Sequence, residues 1–151
     1  MGREPASMPS EPNAGRWVLI STILASSMAF IDGTALNVAL PAIQAGLGAS
    51  GALLLWAVNA YLLMLAALIM VGGSLGDELG RKRVFMVGIG LFVSASVVCG
   101  LAPTIEFLIV ARAVQGIGGA LMIPGSLAII SAFFQHGDRG RAIGTWSAAT
   151  T

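Results

Sequence analysis

The stretch from Leu53 to Gly76 reads LLLWAVNAYLLMLAALIMVGGSLG and contains no charged side chain. A helix rises about 1.5 Å per residue, and crossing about 30 Å of hydrocarbon takes about 20 apolar residues. This run meets that length in one piece. Its apolarity is continuous rather than striped, as expected where lipid and neighbouring helices solvate every face. The whole chain agrees: of 151 residues, 56% are apolar and 10% charged, against an ordinary charged share of about 25%. Mean hydropathy is +0.88. So few polar groups exclude a conventional soluble enzyme and a disordered regulator. A formal net charge of +1 supplies no field for nucleic acid, whose affinity rests on basic charge. The single cysteine, Cys99, excludes an internal disulfide framework and a multi-cysteine zinc site. The fold class is an all-α, polytopic membrane protein.

Charge placement divides the chain. Asp32 is the only charged residue between Arg16 and Asp77, and only Glu106 and Arg112 lie between Arg83 and Asp138. Pro41 and the stretch from Gly46 to Gly51 break the first gap; Leu101 to Thr104, with Pro103, breaks the second. Four spans follow, at about 17–40, 53–76, 84–101 and 105–130, with a fifth helix starting near Ala142. Residues 1–16 form a solvated tail rich in proline. Arg16 ahead of an apolar run is compatible with a cleaved leader, but Asp32 and the later spans argue for a retained helix. Every basic residue except Arg112 then falls at one face: Arg3, Arg16, Arg81, Lys82, Arg83, Arg139 and Arg141. The positive-inside rule makes that face, and the N-terminus, cytoplasmic.

Asp32 and Arg112 are charges inside spans, where insertion costs about 2.5–3.5 kcal/mol, so pairing or function is the default expectation. Counting back from Pro41 puts Asp32 roughly 13 Å below the outer end, and counting on from Thr104 puts Arg112 roughly 12 Å below the same side. Their depths match, which predicts a shared cavity. Burial favours a neutral acid while a nearby guanidinium favours the carboxylate, so Asp32 is suited to exchanging a proton. A static ion pair between two helices is the competing expectation. Gln115, Gly116 and Gly119 share a helical face with Arg112. The small residues there allow close helix approach, and Pro124 favours a kink. Gly116-x-Gly118 lacks the third glycine, preceding strand and acidic ribose partner of a dinucleotide loop. In the second loop, Gly73, Asp77 and Gly80 precede Arg81, Lys82 and Arg83. Gly80 can take a positive φ and turn the chain.

Three motifs in order resemble the N-terminal end of the major facilitator superfamily, in its drug/proton antiporter branch. Asp32-x-Thr34-x-x-Asn37-Val38-Ala39-Leu40-Pro41 is similar to the helix-one motif of the 14-helix subfamily, supported by Trp56-x-x-Asn59-x-Tyr61. Gly73-x-Leu75-x-Asp77-x-x-Gly80-Arg81-Lys82-Arg83 resembles the loop motif between helices two and three. Leu108-x-x-x-Arg112-x-x-Gln115-Gly116-x-Gly118-Gly119-Ala120 resembles the helix-four motif. The resemblance implies that Arg112 and Asp32 serve proton or cation coupling, and that Asp77 pairs with basic residues and a helix end. It implies that Gly73 admits a close neighbouring helix, and that helices one and four line a central cavity near the bilayer middle. Family members have 12 or 14 helices, so this chain is expected to be an N-terminal fragment lacking the C-terminal part of its transporter.

The resulting expectation is proton-coupled efflux of a small apolar or cationic substrate across the cytoplasmic membrane. Asp32 and Arg112 would couple, with Asn37, Tyr61 and Gln115 lining the cavity. Membrane lipid, the substrate and the missing C-terminal part are the expected partners, without nucleic acid. The proton gradient is the energy source, with no cofactor and no metal. A major facilitator transporter for a sugar, organic acid or siderophore shares the loop motif and differs in cavity residues. A non-transporting membrane fragment is a further alternative. An enzyme would need a nucleophile–base pair or metal ligands, and the sole histidine, His136, falls in a loop near Asp138. The methionines read mainly as core or lipid-facing filler. Trp17 reads as an interfacial anchor, with Trp56 and Trp146 in the same role.

Overall fold

A computed structural model describes residues 12–134 and 136–150, and these are helical apart from short turns. Five helices follow in order: α1 (Pro12–Leu47), α2 (Gly51–Leu79), α3 (Arg81–Gly100), α4 (Ile105–Phe133) and α5 (His136–Thr150). The first four are long and apolar enough to cross a membrane.

Helix ends depart from the expected bounds in instructive ways. Pro41 lies inside α1, which runs on to Leu47. Proline removes one backbone donor and frees the carbonyl four residues earlier, that of Asn37, yet apolar surroundings and neighbouring helices keep the helix intact. The turn is made instead at Gly48, whose φ of 60° is the left-handed conformation that ends helices. At the other end, Pro12 to Arg16 belong to α1 rather than to a tail; the rest of the expected tail, residues 1–11, lies outside the described residues. α5 begins at His136, not near Ala142, so the expected loop around the histidine is already helical.

Side chains cap α2 and α4, the helices that start after the turns following α1 and α3. Ser50 Oγ accepts from Leu53 N at 3.4 Å, and Thr104 Oγ1 accepts from Phe107 N at 3.3 Å. Each answers one of the orphan donors of a first turn. Ser50→Ala is expected to lower stability by about 0.5–1 kcal/mol, the lower part of the range for a lost cap, measurable as a small fall in thermal midpoint.

α4 is the central element, packed most extensively on α2 and α3 and less on α1. Glycines set those distances. A Cβ at Gly118 would lie 2.7 Å from the backbone nitrogen of Phe92, and one at Gly88 would lie 2.9 Å from that of Met122. A Cβ at Gly116 would collide with the Tyr61 carbonyl oxygen, and one at Gly72 with that of Ala120. Ala120 is four residues before Pro124, so its carbonyl is the one the proline frees. Gly72 brings its Cα hydrogen onto that oxygen, a weak but recurrent helix–helix contact. The expected close approach at Gly73 is therefore displaced by one residue: a Cβ there would reach only Pro124 Cβ, at 4.0 Å. Gly119 is looser than Gly116, facing the flexible end of Leu65 at 3.3 Å.

The bundle has two chemically distinct ends. At one, Ala49, Leu54, Ala57, Ile105 and Leu108 form an apolar cluster beneath the turns after α1 and α3. At the other, Arg81 reaches the Ala128 carbonyl at 3.2 Å, and Gly15 lies against Phe133 and Phe134. The start of α1, the α2–α3 turn and the end of α4 thus meet, and Arg16, Arg81, Lys82, Arg83, Arg139 and Arg141 gather there. Among the described residues Arg112 alone of the basic side chains lies elsewhere.

Candidate functional site

Arg112 is the buried centre of the site, 2% exposed. Its Nη1 donates to Asp32 Oδ2 at 2.5 Å and to Gln115 Oε1 at 2.7 Å. Gln115 Nε2 donates to Asp32 Oδ1 at 2.7 Å, which closes a three-membered ring of hydrogen bonds between α1 and α4. Both carboxylate oxygens are therefore engaged, one by a charge and one by an amide. The helical register explains the meeting: Gln115 sits one turn after Arg112 on the same face of α4, and the depth of Asp32 on α1 matches theirs. The structure brings these three expected residues together directly.

Two further groups complete the surroundings. The Tyr61 ring on α2 lies with its centroid 4.5 Å from Arg112 Cζ, a cation–π arrangement. Cys99 on α3 donates to Gln115 Oε1 with a sulfur–oxygen distance of 3.6 Å. Cys99 was not expected here, because counting from the α3–α4 turn places its backbone nearer that end of the bundle than Gln115. The long Gln115 side chain leans toward the start of its helix, as helical side chains do, and closes that difference. Four helices thus converge on the Arg112–Gln115 pair. Arg112 Nε remains buried without a hydrogen-bond partner.

A pocket of about 510 Å³ opens beside this junction, lined by Asp32, Leu36, Ile43, Cys99, Leu108 and Arg112 among others. Asp32 faces it with a side chain 18% exposed, while that of Arg112 is 3% exposed. The carboxylate is the part of the pair that water reaches. Of the three residues expected to line a cavity, none lines this pocket. Tyr61 and Gln115 are buried behind Arg112 and Asp32. Asn37 is exposed and turned roughly 140° from Asp32 around α1, five residues at about 100° each.

At the basic end, Asp77 Oδ1 accepts from Arg81 Nε at 3.1 Å and from Nη2 at 3.0 Å. Arg81 Nη1 donates to the Ala128 carbonyl of α4, so the carboxylate is tied through one arginine to a neighbouring helix end. Gly80 joins α2 to α3 with φ at 98°, a conformation that disfavours any side chain. Lys82 and Arg83 are exposed and stand outside the Asp77 contact. The pair is exposed, with side chains 43% and 66% accessible for Arg81 and Asp77, and exposed pairs stabilise by about 0–1 kcal/mol. Asp77→Asn is expected to move the thermal midpoint little, by no more than about 1 kcal/mol of stability; a large loss of stability would contradict this.

A polar chain not anticipated from the sequence joins α1, α4 and α5. Trp146 Nε1 donates to Ser26 Oγ at 3.1 Å, Ser26 donates to Ser126 Oγ at 3.2 Å, and Ser126 donates to the Ile123 carbonyl at 2.7 Å. Trp146 therefore caps a buried serine pair rather than anchoring in an interface. Paired small hydroxyls on spanning helices are the signal that would have found it.

A model described as the Major Facilitator Superfamily matches residues 22–151. The chain belongs to this superfamily. Among curated relatives of this superfamily chain, a probable actinorhodin transporter of Streptomyces coelicolor is 45% identical, over 91% of this chain and 24% of that protein. A puromycin resistance protein of Streptomyces alboniger is 38% identical, over 99% of this chain and 32% of its own length. A multidrug resistance protein of Mycobacterium tuberculosis is 43% identical, over 86% and 24%. The chain spans about a quarter to a third of the length of these relatives. With four candidate spans, this superfamily member is a multi-pass membrane protein.

Proposed function

We propose that the chain is the N-terminal part of a proton-coupled exporter of small apolar or cationic drugs, in the 14-helix branch of the superfamily. Its N-terminus lies in the cytoplasm, because the basic end of the bundle is the end retained on that side. The observation that carries the reading is the Asp32–Arg112–Gln115 ring beside an open pocket. As a carboxylate, Asp32 accepts from both partners and ties α1 to α4. A proton arriving from the pocket neutralises it, converts the ion pair into an ordinary hydrogen bond, and loosens α1 from α4. Proton and substrate then alternate at one junction, while the Asp77–Arg81 contact holds the cytoplasmic helix ends in one conformer. The names of the relatives, given for resistance and export, support a drug as cargo.

The test is efflux from proteoliposomes containing the intact protein that carries this chain. An imposed proton gradient should drive export of a fluorescent cationic dye, and a protonophore should collapse it. Asp32→Asn should remove the gradient-dependent component. Unchanged efflux in that variant would end the role given to Asp32.

A further inference from the structure

Arg112 has unequal partners on its several sides. Asp32 comes from α1, which packs less extensively on α4 than α2 and α3 do. Tyr61 comes from α2 and is fixed within the tightly packed block. Its ring packs edge-to-face with that of Phe92, centroids 6.4 Å apart and planes at 78°, its backbone carbonyl abuts Gly116, and its hydroxyl lies beside Gly119. The groups around Arg112 are Asp32 from α1, Tyr61 from α2, Cys99 from α3 through Gln115, and Gln115 from α4 itself. Asp32 is the one charged partner among the described residues. Once that charge is neutralised, the guanidinium in a dry site keeps the neutral Gln115 acceptor, and the face of an aromatic ring supplies further negative potential.

We infer that Tyr61 is a positioning residue that holds the Arg112 guanidinium against the α2–α4 block when its ion pair with Asp32 opens. The ring thereby decides which side moves: α1 leaves with Asp32, and Arg112 stays. Without the ring, a neutral Asp32 leaves the guanidinium to seek water in the pocket, carrying the junction with it. The inference rests on Asp32 as the group that takes the proton, but its test does not need transport.

The experiment is a thermal-unfolding cycle on the intact protein in detergent, with Tyr61→Leu and Tyr61→Phe each made alone and with Asp32→Asn as the neutral form. Tyr61→Leu should lower the midpoint at least twice as far in the Asp32→Asn background as in the parent, while Tyr61→Phe should be near parent in both. An equal fall in both backgrounds would mean that the ring only packs, and would overturn the proposal. Should Tyr61→Leu fail to fold, phenylalanines carrying one to three fluorines at position 61 weaken the ring face with little change of shape. In the Asp32→Asn background the midpoint should fall stepwise with fluorine number, and a flat series would overturn the proposal. The pH of half-maximal efflux should shift with Tyr61→Leu and not with Tyr61→Phe. A protein that shows the coupling in the cycle but no gradient-driven efflux would refute the exporter reading and leave the ring's role standing.

Discussion

Arg112→Leu should lower the unfolding free energy of the intact protein by about 3–5 kcal/mol, the cost of removing one partner from a buried ion pair. The arithmetic follows from what is left behind. Asp32 loses the donor at 2.5 Å, Gln115 loses the donor at 2.7 Å, and Tyr61 faces an empty space where a cation lay. Asp32→Leu combined with Arg112→Leu should recover at least half of that loss, since replacing both members of a buried pair by apolar groups is often neutral or better. Gln115 keeps Cys99 as a partner in the double variant, so recovery should stop short of complete. Efflux should be absent in both. Unfolding in mixed micelles measures the first prediction, and dye efflux the second. Recovered stability without recovered transport would separate the junction's structural work from its chemistry. A purely static ion pair predicts instead that a double variant of parental stability transports normally.

The second large effect lies along the glycine seam. Gly118→Val should cost about 3 kcal/mol, the upper part of the range for an overpacked core, because the obstructing atoms are the Phe92 backbone and the Gly88 carbonyl, at 2.7 and 3.1 Å from a Cβ. Backbone cannot swing aside as a side-chain tip can. Gly72→Ala should be costly for the same reason, since its methyl would displace α4 at the carbonyl freed by Pro124. Gly73→Ala and Gly90→Ala form the contrast: one meets only Pro124 Cβ at 4.0 Å and the other nothing within 4 Å. Both should be neutral or stabilising by up to about 1 kcal/mol through helix propensity. Thermal midpoints of the four variants, ranked, check the seam. Similar falls for Gly72→Ala and Gly73→Ala would contradict the register.

What the sequence made legible followed from physics that acts over whole helices. Hydropathy sets the number of spans, and the rise per residue sets depth, which is why Asp32 and Arg112 could be matched across a separation of 80 positions. The face shared by Arg112 and Gln115 is fixed by helical period alone. Gly80 was legible because a break with no other turn residue needs its backbone freedom. What escaped depended on a single residue's register or on side-chain reach. Gly72 and Gly73 are equivalent as letters, and only the position of the Ala120 carbonyl distinguishes them. Pro41 read as a helix end because proline breaks helices in water, where a freed carbonyl has an easy alternative. Asn37 shares a motif with Asp32, yet its position around α1 turns it from the pocket. Gln115 reaches Cys99, and Trp146 reaches Ser26, through long side chains, which a count along the axis cannot see.

The central claim is that Asp32 carries the proton whose movement is exchanged against substrate. It is tested most directly by adding a transported dye to the purified intact protein in lightly buffered detergent solution and recording the pH. The parent should release protons in proportion to occupied sites, and Asp32→Asn should bind the dye, at changed affinity, without releasing any. Proton release of equal size from Asp32→Asn would contradict the account.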